Sequence, residues 1–106
     1  MREITDIVDV KRRFLGHLTL EKGMSPNTAQ AYSDDVDKLV RYFADAGVAI
    51  ERATTDDLEQ FVCTLQDVGI QPRSQARIIS GVKSFYKFLR LEGFMARPSH
   101  RPLTLR

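Results

Sequence analysis

One cysteine, four prolines and no tryptophan occur in 106 residues, and each shortage excludes something. A single thiol, Cys63, cannot form an internal disulfide, which suits a reducing compartment. Two histidines, His17 and His100, beside that one cysteine are too few for a structural zinc site. No apolar run approaches the roughly 18 residues of a membrane span. The N-terminal MREITDIVDVKRR places acids where a secretory leader needs a basic end and an apolar block. No cofactor, metal or small-molecule ligand is expected, and a soluble, cytoplasmic protein is. The length allows one core, and the 42 % hydrophobic and 28 % charged shares are those of a globular chain.

The most telling shortage is of acid, and it is local. Residues 1–69 hold eight Lys and Arg against thirteen acids, a net −5. Residues 70–106 hold eight against one acid, Glu92, a net +7. Within GIQPRSQARIISGVKSFYKFLR, Gly69 to Arg90, there are five positive charges and no carboxylate. Such asymmetry points to an anionic partner for the C-terminal part.

What is present is helical grammar. Gly23, Gly47, Gly69 and Gly93 recur at intervals of 24, 22 and 24 residues, each after a stretch with helical apolar spacing. The first stretch, about 4–22, aligns Ile4, Ile7, Lys11, Phe14, Leu15 and Leu18. The second, about 26–46, aligns Ala29, Tyr32, Val36, Leu39, Val40 and Phe43. The third, about 56–68, uses Leu58, Phe61, Val62, Leu65 and Val68; the fourth, about 72–92, uses Ile78, Ile79, Val82, Phe85, Tyr86 and Leu89. No strand alternation competes, so the fold class is all-α. Ser25 followed by Pro26 marks a helix start, as does Thr54-Thr55 ahead of Asp56 and Asp57. Gln71 before Pro72 lacks a capping hydroxyl, so that start is expected to be looser.

GMSPNTAQAY and GIQPRSQARI, beginning at Gly23 and Gly69, share G-x-x-P. Two hairpins with common cap grammar explain the echo, and so would two helix N-termini that both meet phosphates. After Gly93, FMARPSHRPLTLR has two prolines and no helical period, as expected of a linker over 95–106 behind a helical domain over 1–94.

On the fourth helix, at about 100° per residue, Arg73, Arg77, Ser80, Ser84 and Lys87 share one ridge, opposite Ile79, Val82, Phe85, Tyr86 and Leu89. Lys83 and Arg90 flank it. A cationic face that cannot form ion pairs along its own helix suits a polyanion, since Arg and Ser match phosphate oxygens and Arg also matches guanine edges. Nucleic acid is the foremost partner class, with an acidic protein docked on the same helix as the alternative and plain solubility as a third explanation. The first turn of the second helix adds Ser25, Asn27 and Thr28, while the third exposes Asp56, Glu59, Cys63, Gln66 and Asp67, an acidic side expected to face away from DNA. Tyr32 and Tyr86 fall on core faces and Tyr42 at a helix edge. With no nucleophile, base and orienting group together, the chain alone is not expected to be an enzyme. His17 and His100 are expected at the surface.

Two segments, FLGHLTLEKGMSPNTAQAY from Phe14 to Tyr32 and PRSQARIISGVKSFYKFL from Pro72 to Leu89, resemble the core-binding domain of tyrosine recombinases of the Xer and phage-integrase group. The resemblance covers essentially the whole chain. It implies a SAM-like bundle of four to five helices that clamps one side of duplex DNA, while a C-terminal catalytic domain with the tyrosine nucleophile grips the other. It implies DNA contacts at Ser25, Asn27, Thr28, Arg73, Ser74, Arg77, Lys83, Ser84 and Lys87, and further partners in that catalytic domain and in neighbouring recombinase protomers on DNA. Phe88, near the basic edge, becomes a candidate contact for the catalytic domain.

Overall fold

The computed structural model describes residues 4–94. Four α-helices make up the domain: α1 (Ile7–Gly16), α2 (Pro26–Ala46), α3 (Thr55–Asp67) and α4 (Pro72–Leu91). A π-helical turn, His17–Glu21, extends α1, and a 3-10 turn, Ile50–Arg52, precedes α3. No strand occurs among the described residues, so the all-α bundle read from the periodicity stands. The proposed linker, 95–106, and His100 lie outside the described residues.

Three of the four helices begin at a side-chain cap. Asp6 accepts the backbone N–H groups of Val8 and Asp9 and caps α1. Ser25 accepts the N–H of Thr28 with Pro26 in the first turn of α2. Thr54 and Asp57 close a reciprocal capping box at α3, at 3.2 and 2.9 Å, so Asp57 does more than complement the helix dipole. Gln71 makes no side-chain cap; the Gln75 amide instead reaches back to the carbonyl of Ile70.

The glycine punctuation is structural. Gly23, Gly47, Gly69 and Gly93 all have positive φ, between 67° and 84°, a region other residues enter at a cost. After each of them an apolar residue folds back onto the helical turn just ended: Met24 N–H on Leu18 O, Val48 N–H on Phe43 O, Ile70 N–H on Leu65 O and Phe94 N–H on Leu89 O. The first helix departs from expectation. Its α-helical part stops at Gly16, and the next turn widens, with the Lys22 N–H on His17 O. The Thr19 hydroxyl bonds the carbonyls of Leu15 and Gly16 there, competing with the regular ladder.

All four helices contribute to one core. Val10, Phe14 and Leu18 meet Val36, Leu39 and Phe43 of α2, Phe61 and Leu65 of α3, and Ile78, Phe85, Phe88 and Leu89 of α4. Phe14 sits edge-on to Phe85, with ring centroids 5.2 Å apart. The most extensive helix contact is between α2 and α4. It is close at Gly81, where an added Cβ would lie 3.6 Å from Tyr32 Cγ and Asp35 Cβ. Lys11, counted in the apolar stripe, instead pairs with Asp37 across the α1–α2 seam. The Ile4 N–H on a Glu51 carboxylate ties the chain start to the 3-10 turn.

Candidate nucleic-acid interface

The outer surface of α4 carries Arg73, Ser80, Lys83, Lys87 and Arg90, all exposed. Among the described residues no carboxylate pairs with Arg73, Lys83, Lys87 or Arg90. Their positions follow from the core: Ile78, Val82, Phe85, Tyr86 and Leu89 face inward and turn the charged positions out. Ser74 and Ser84 are half-buried.

Relative to the predicted ridge, the exposed arc is rotated about the helix axis. Gly81 meets α2, and Phe88 beside it on the wheel is only 4 % exposed. Phe88 stacks against Phe14 and His17, at 5.6 and 5.2 Å between ring centroids, which removes it as a contact for another domain. His17 is likewise no surface histidine. Its side chain is 12 % exposed, between Phe88 and Glu21. The exposed charge is centred on Lys83, Lys87 and Arg90 as much as on Arg73.

The face holds no acid of its own helix, but at Arg77 it meets one from α2. Asp35, on α2 and 0 % exposed, accepts two hydrogen bonds from the guanidinium, Nε to Oδ2 and Nη2 to Oδ1, both 2.9 Å. The Arg77 side chain nonetheless remains 48 % exposed. Lys38 Nζ approaches the same carboxylate at 3.5 Å. The hydrogen bonds and charge of Asp35, helped by Asp34, raise the Arg77 pKa above its ordinary value. A helical wheel shows only one helix, and the compensating acid came from its neighbour. Asp35 follows Asp34 in a run of acids that looks solvated, so only its place opposite Gly81 singles it out.

The first turn of α2 is exposed at Ser25, Asn27 and Thr28. The Ser25 hydroxyl donates to Thr28 Oγ1 at 3.0 Å while capping the helix, so two of these side chains already serve each other. Tyr32 and Asp35 of α2 both lie beside Gly81, and Asp35 also reaches Arg77. On α3, Asp56, Glu59, Cys63, Gln66 and Asp67 are exposed, giving the acidic side foreseen.

The tyrosines serve the core. Tyr86 is buried and donates its hydroxyl to the carbonyl of Ile50 at 2.9 Å. Burial, with Glu51 and Asp57 nearby, pushes its pKa well above the usual phenol range. Tyr42 packs on Phe43 and Phe61, and Tyr32 is half-buried against α4. Among the described residues, no group of three or more His, Cys, Asp or Glu could hold a metal ion. No helix among them is long and apolar enough to cross a membrane.

Comparison with known proteins completes the picture. The family described as the phage integrase N-terminal SAM-like domain matches residues 12–93. Tyrosine recombinase XerD of Chlorobaculum tepidum is 38 % identical over 79 residues, covering 74 % of this chain and 26 % of that protein. Tyrosine recombinase XerC of Chlorobaculum parvum is 42 % identical over 102 residues, covering 87 % and 29 %. XerD of Rhizobium meliloti is 35 % identical over 80 residues, covering 76 % and 26 %. The chain thus spans between a quarter and a third of the length of these curated relatives. No solved structure gives a significant match. With a four-helix bundle in place and the match running from α1 through α4, this chain belongs to the phage integrase N-terminal SAM-like domain family.

Proposed function

We propose that this domain binds duplex DNA through the outer face of α4 and the first turn of α2, as the N-terminal clamp of a site-specific tyrosine recombinase. The observation that carries it is the set Arg73, Lys83, Lys87 and Arg90, exposed and without carboxylate partners among the described residues. Four like charges on one helix face repel one another, and the phosphates of a duplex offset that cost. Arg73, Lys83 and Lys87 supply charge; Ser25, Asn27, Thr28, Ser74 and Ser84 supply short hydrogen bonds to phosphate oxygens. The acidic side of α3 then faces away from the DNA.

Relatives that are tyrosine recombinases support recombination as the process, and they favour DNA over an acidic protein as the partner of the basic helix. In this proposal residues 95–106 link the helical domain, 1–94, to a catalytic domain that carries the tyrosine nucleophile. Neighbouring protomers on DNA are further partners, and the cytoplasm is the site of action. The test is titration of labelled duplex at several salt concentrations. Affinity on the order of 10⁻⁴–10⁻⁶ M with a steep salt dependence is expected. Lys87→Ala and Arg73→Ala should each flatten the slope by about one. Absence of duplex binding at low salt would overturn the proposal.

A further inference from the structure

Asp35 has no solvent exposure, yet it is an ionisable group on the helix that borders the cationic face. Its contacts are specific. The carboxylate takes the Nε and Nη2 edge of Arg77, in the two-bond geometry that suits a planar guanidinium. A guanidinium carries five N–H donors in one rigid plane. Two are spent on Asp35. Of the remaining three, one on Nη1 and the second on Nη2 run parallel and form another edge, on a side chain that stays 48 % exposed.

We propose that Asp35 is a positioning residue for DNA binding: it clamps the inner edge of Arg77 so that the outer edge offers a fixed pair of donors to paired acceptors on the duplex. This rests on the duplex-binding proposal above. A free surface arginine must be ordered when it binds, whereas one held at two points has lost that freedom already. Asp35 also compensates the charge of Arg77, with Asp34 contributing. Arg77 therefore differs in kind from its neighbours. Arg73, Lys83, Lys87 and Arg90 attract the polyanion, while Arg77 contributes direction. The paired acceptors are two phosphate oxygens or O6 and N7 of a guanine, which present the same chemistry to an arginine edge.

The deciding variant is Arg77→Lys. An ammonium keeps a positive charge against Asp35, so the bundle retains its pairing, but it has no second edge. Duplex titrations of the 106-residue chain across salt concentrations are expected to show Arg77→Lys weakened about tenfold. The salt slope should stay close to the parent's, whereas Lys87→Ala loses about one unit of slope. Asp35→Asn should weaken binding by a similar factor, and Asp35→Asn with Arg77→Lys should be no weaker than either alone. Circular dichroism confirms that each variant is folded at the assay temperature. If Arg77→Lys binds as the parent does, or if the two losses simply multiply, Asp35 is a structural partner only and the proposal falls. If Lys87→Ala also leaves binding unchanged, or no duplex binds, the duplex-binding proposal itself has failed. A loss uniform across duplex sequences identifies phosphate oxygens as the acceptors, and a loss confined to some sequences identifies guanine.

Discussion

At Arg77 and Asp35 the two halves of one ion pair are unequally placed, and their loss should be unequal too. Asp35 is fully buried while Arg77 is half in solvent. Arg77→Ala strands a buried carboxylate with Lys38 as its one remaining cation among the described residues, so a loss of about 2–3 kcal/mol in urea unfolding is expected, already reduced for the solvent screening of the guanidinium. Asp35→Ala frees an arginine that water can solvate, so it should cost less. An equal or larger loss for Asp35→Ala would contradict this account. Tyr86 offers a second test. Its phenol is held protonated by burial and by the nearby charges of Glu51 and Asp57, while in the unfolded chain it ionises near pH 10. Below that pH both states keep the proton and the contribution is complete. Above it only the unfolded chain releases the proton, so stability falls as pH rises, by up to about 1.4 kcal/mol per pH unit from this group. Tyr86→Phe should cost about 1 kcal/mol at pH 7 and shallow the decline between pH 10 and 11, as followed by denaturant titration.

For single helices, sequence was a good guide to boundaries because boundaries are set locally. Ser25-Pro26 and Thr54 with Asp57 start α2 and α3, and glycine in the left-handed region ends what precedes it. The expected span 26–46 for the second helix coincides with α2, Pro26–Ala46. Where expectation erred, a neighbouring group intervened, as at the π-helical turn where Thr19 bonds the backbone. Gly81 is the glycine whose role is interhelical. It lies inside α4 without a positive φ, and a Cβ there would meet Tyr32 and Asp35 at ordinary van der Waals distance. Gly81→Ala should therefore stabilise the domain by roughly 0.5–1 kcal/mol through helix propensity, raising the midpoint of thermal unfolding. A lowered midpoint would show that α2 and α4 pack too tightly for the methyl group. The same change at Gly47, where φ is 73°, should destabilise instead.

Across the whole molecule, charge is sorted by side. The basic outer face of α4 and the acidic outer face of α3 give the domain a charge pattern that the chain's net charge of +2 conceals. With four unpaired cations engaging phosphates, the duplex affinity should fall about a hundredfold between 50 and 200 mM salt. A fall of less than about tenfold would mean that most of the four do not touch the backbone. Bundle and cationic helix were evident from residue order, since periodicity, caps and glycine stops depend on near neighbours along the chain; the family was legible only through the resemblance of two motifs, Phe14–Tyr32 and Pro72–Leu89. Three features were not: the burial of Phe88, the shelter of His17, and the carboxylate that holds Arg77. Each depends on which angular sector of one helix another helix covers, and residues 42 positions apart, such as Asp35 and Arg77, meet only through that packing. Sequence alone determined that α4 has a charged side and an apolar side; the docking of α2 against Gly81 decided which of those charges remain free, because burial beside a second helix, and not position on a wheel, sets the partners a side chain can reach.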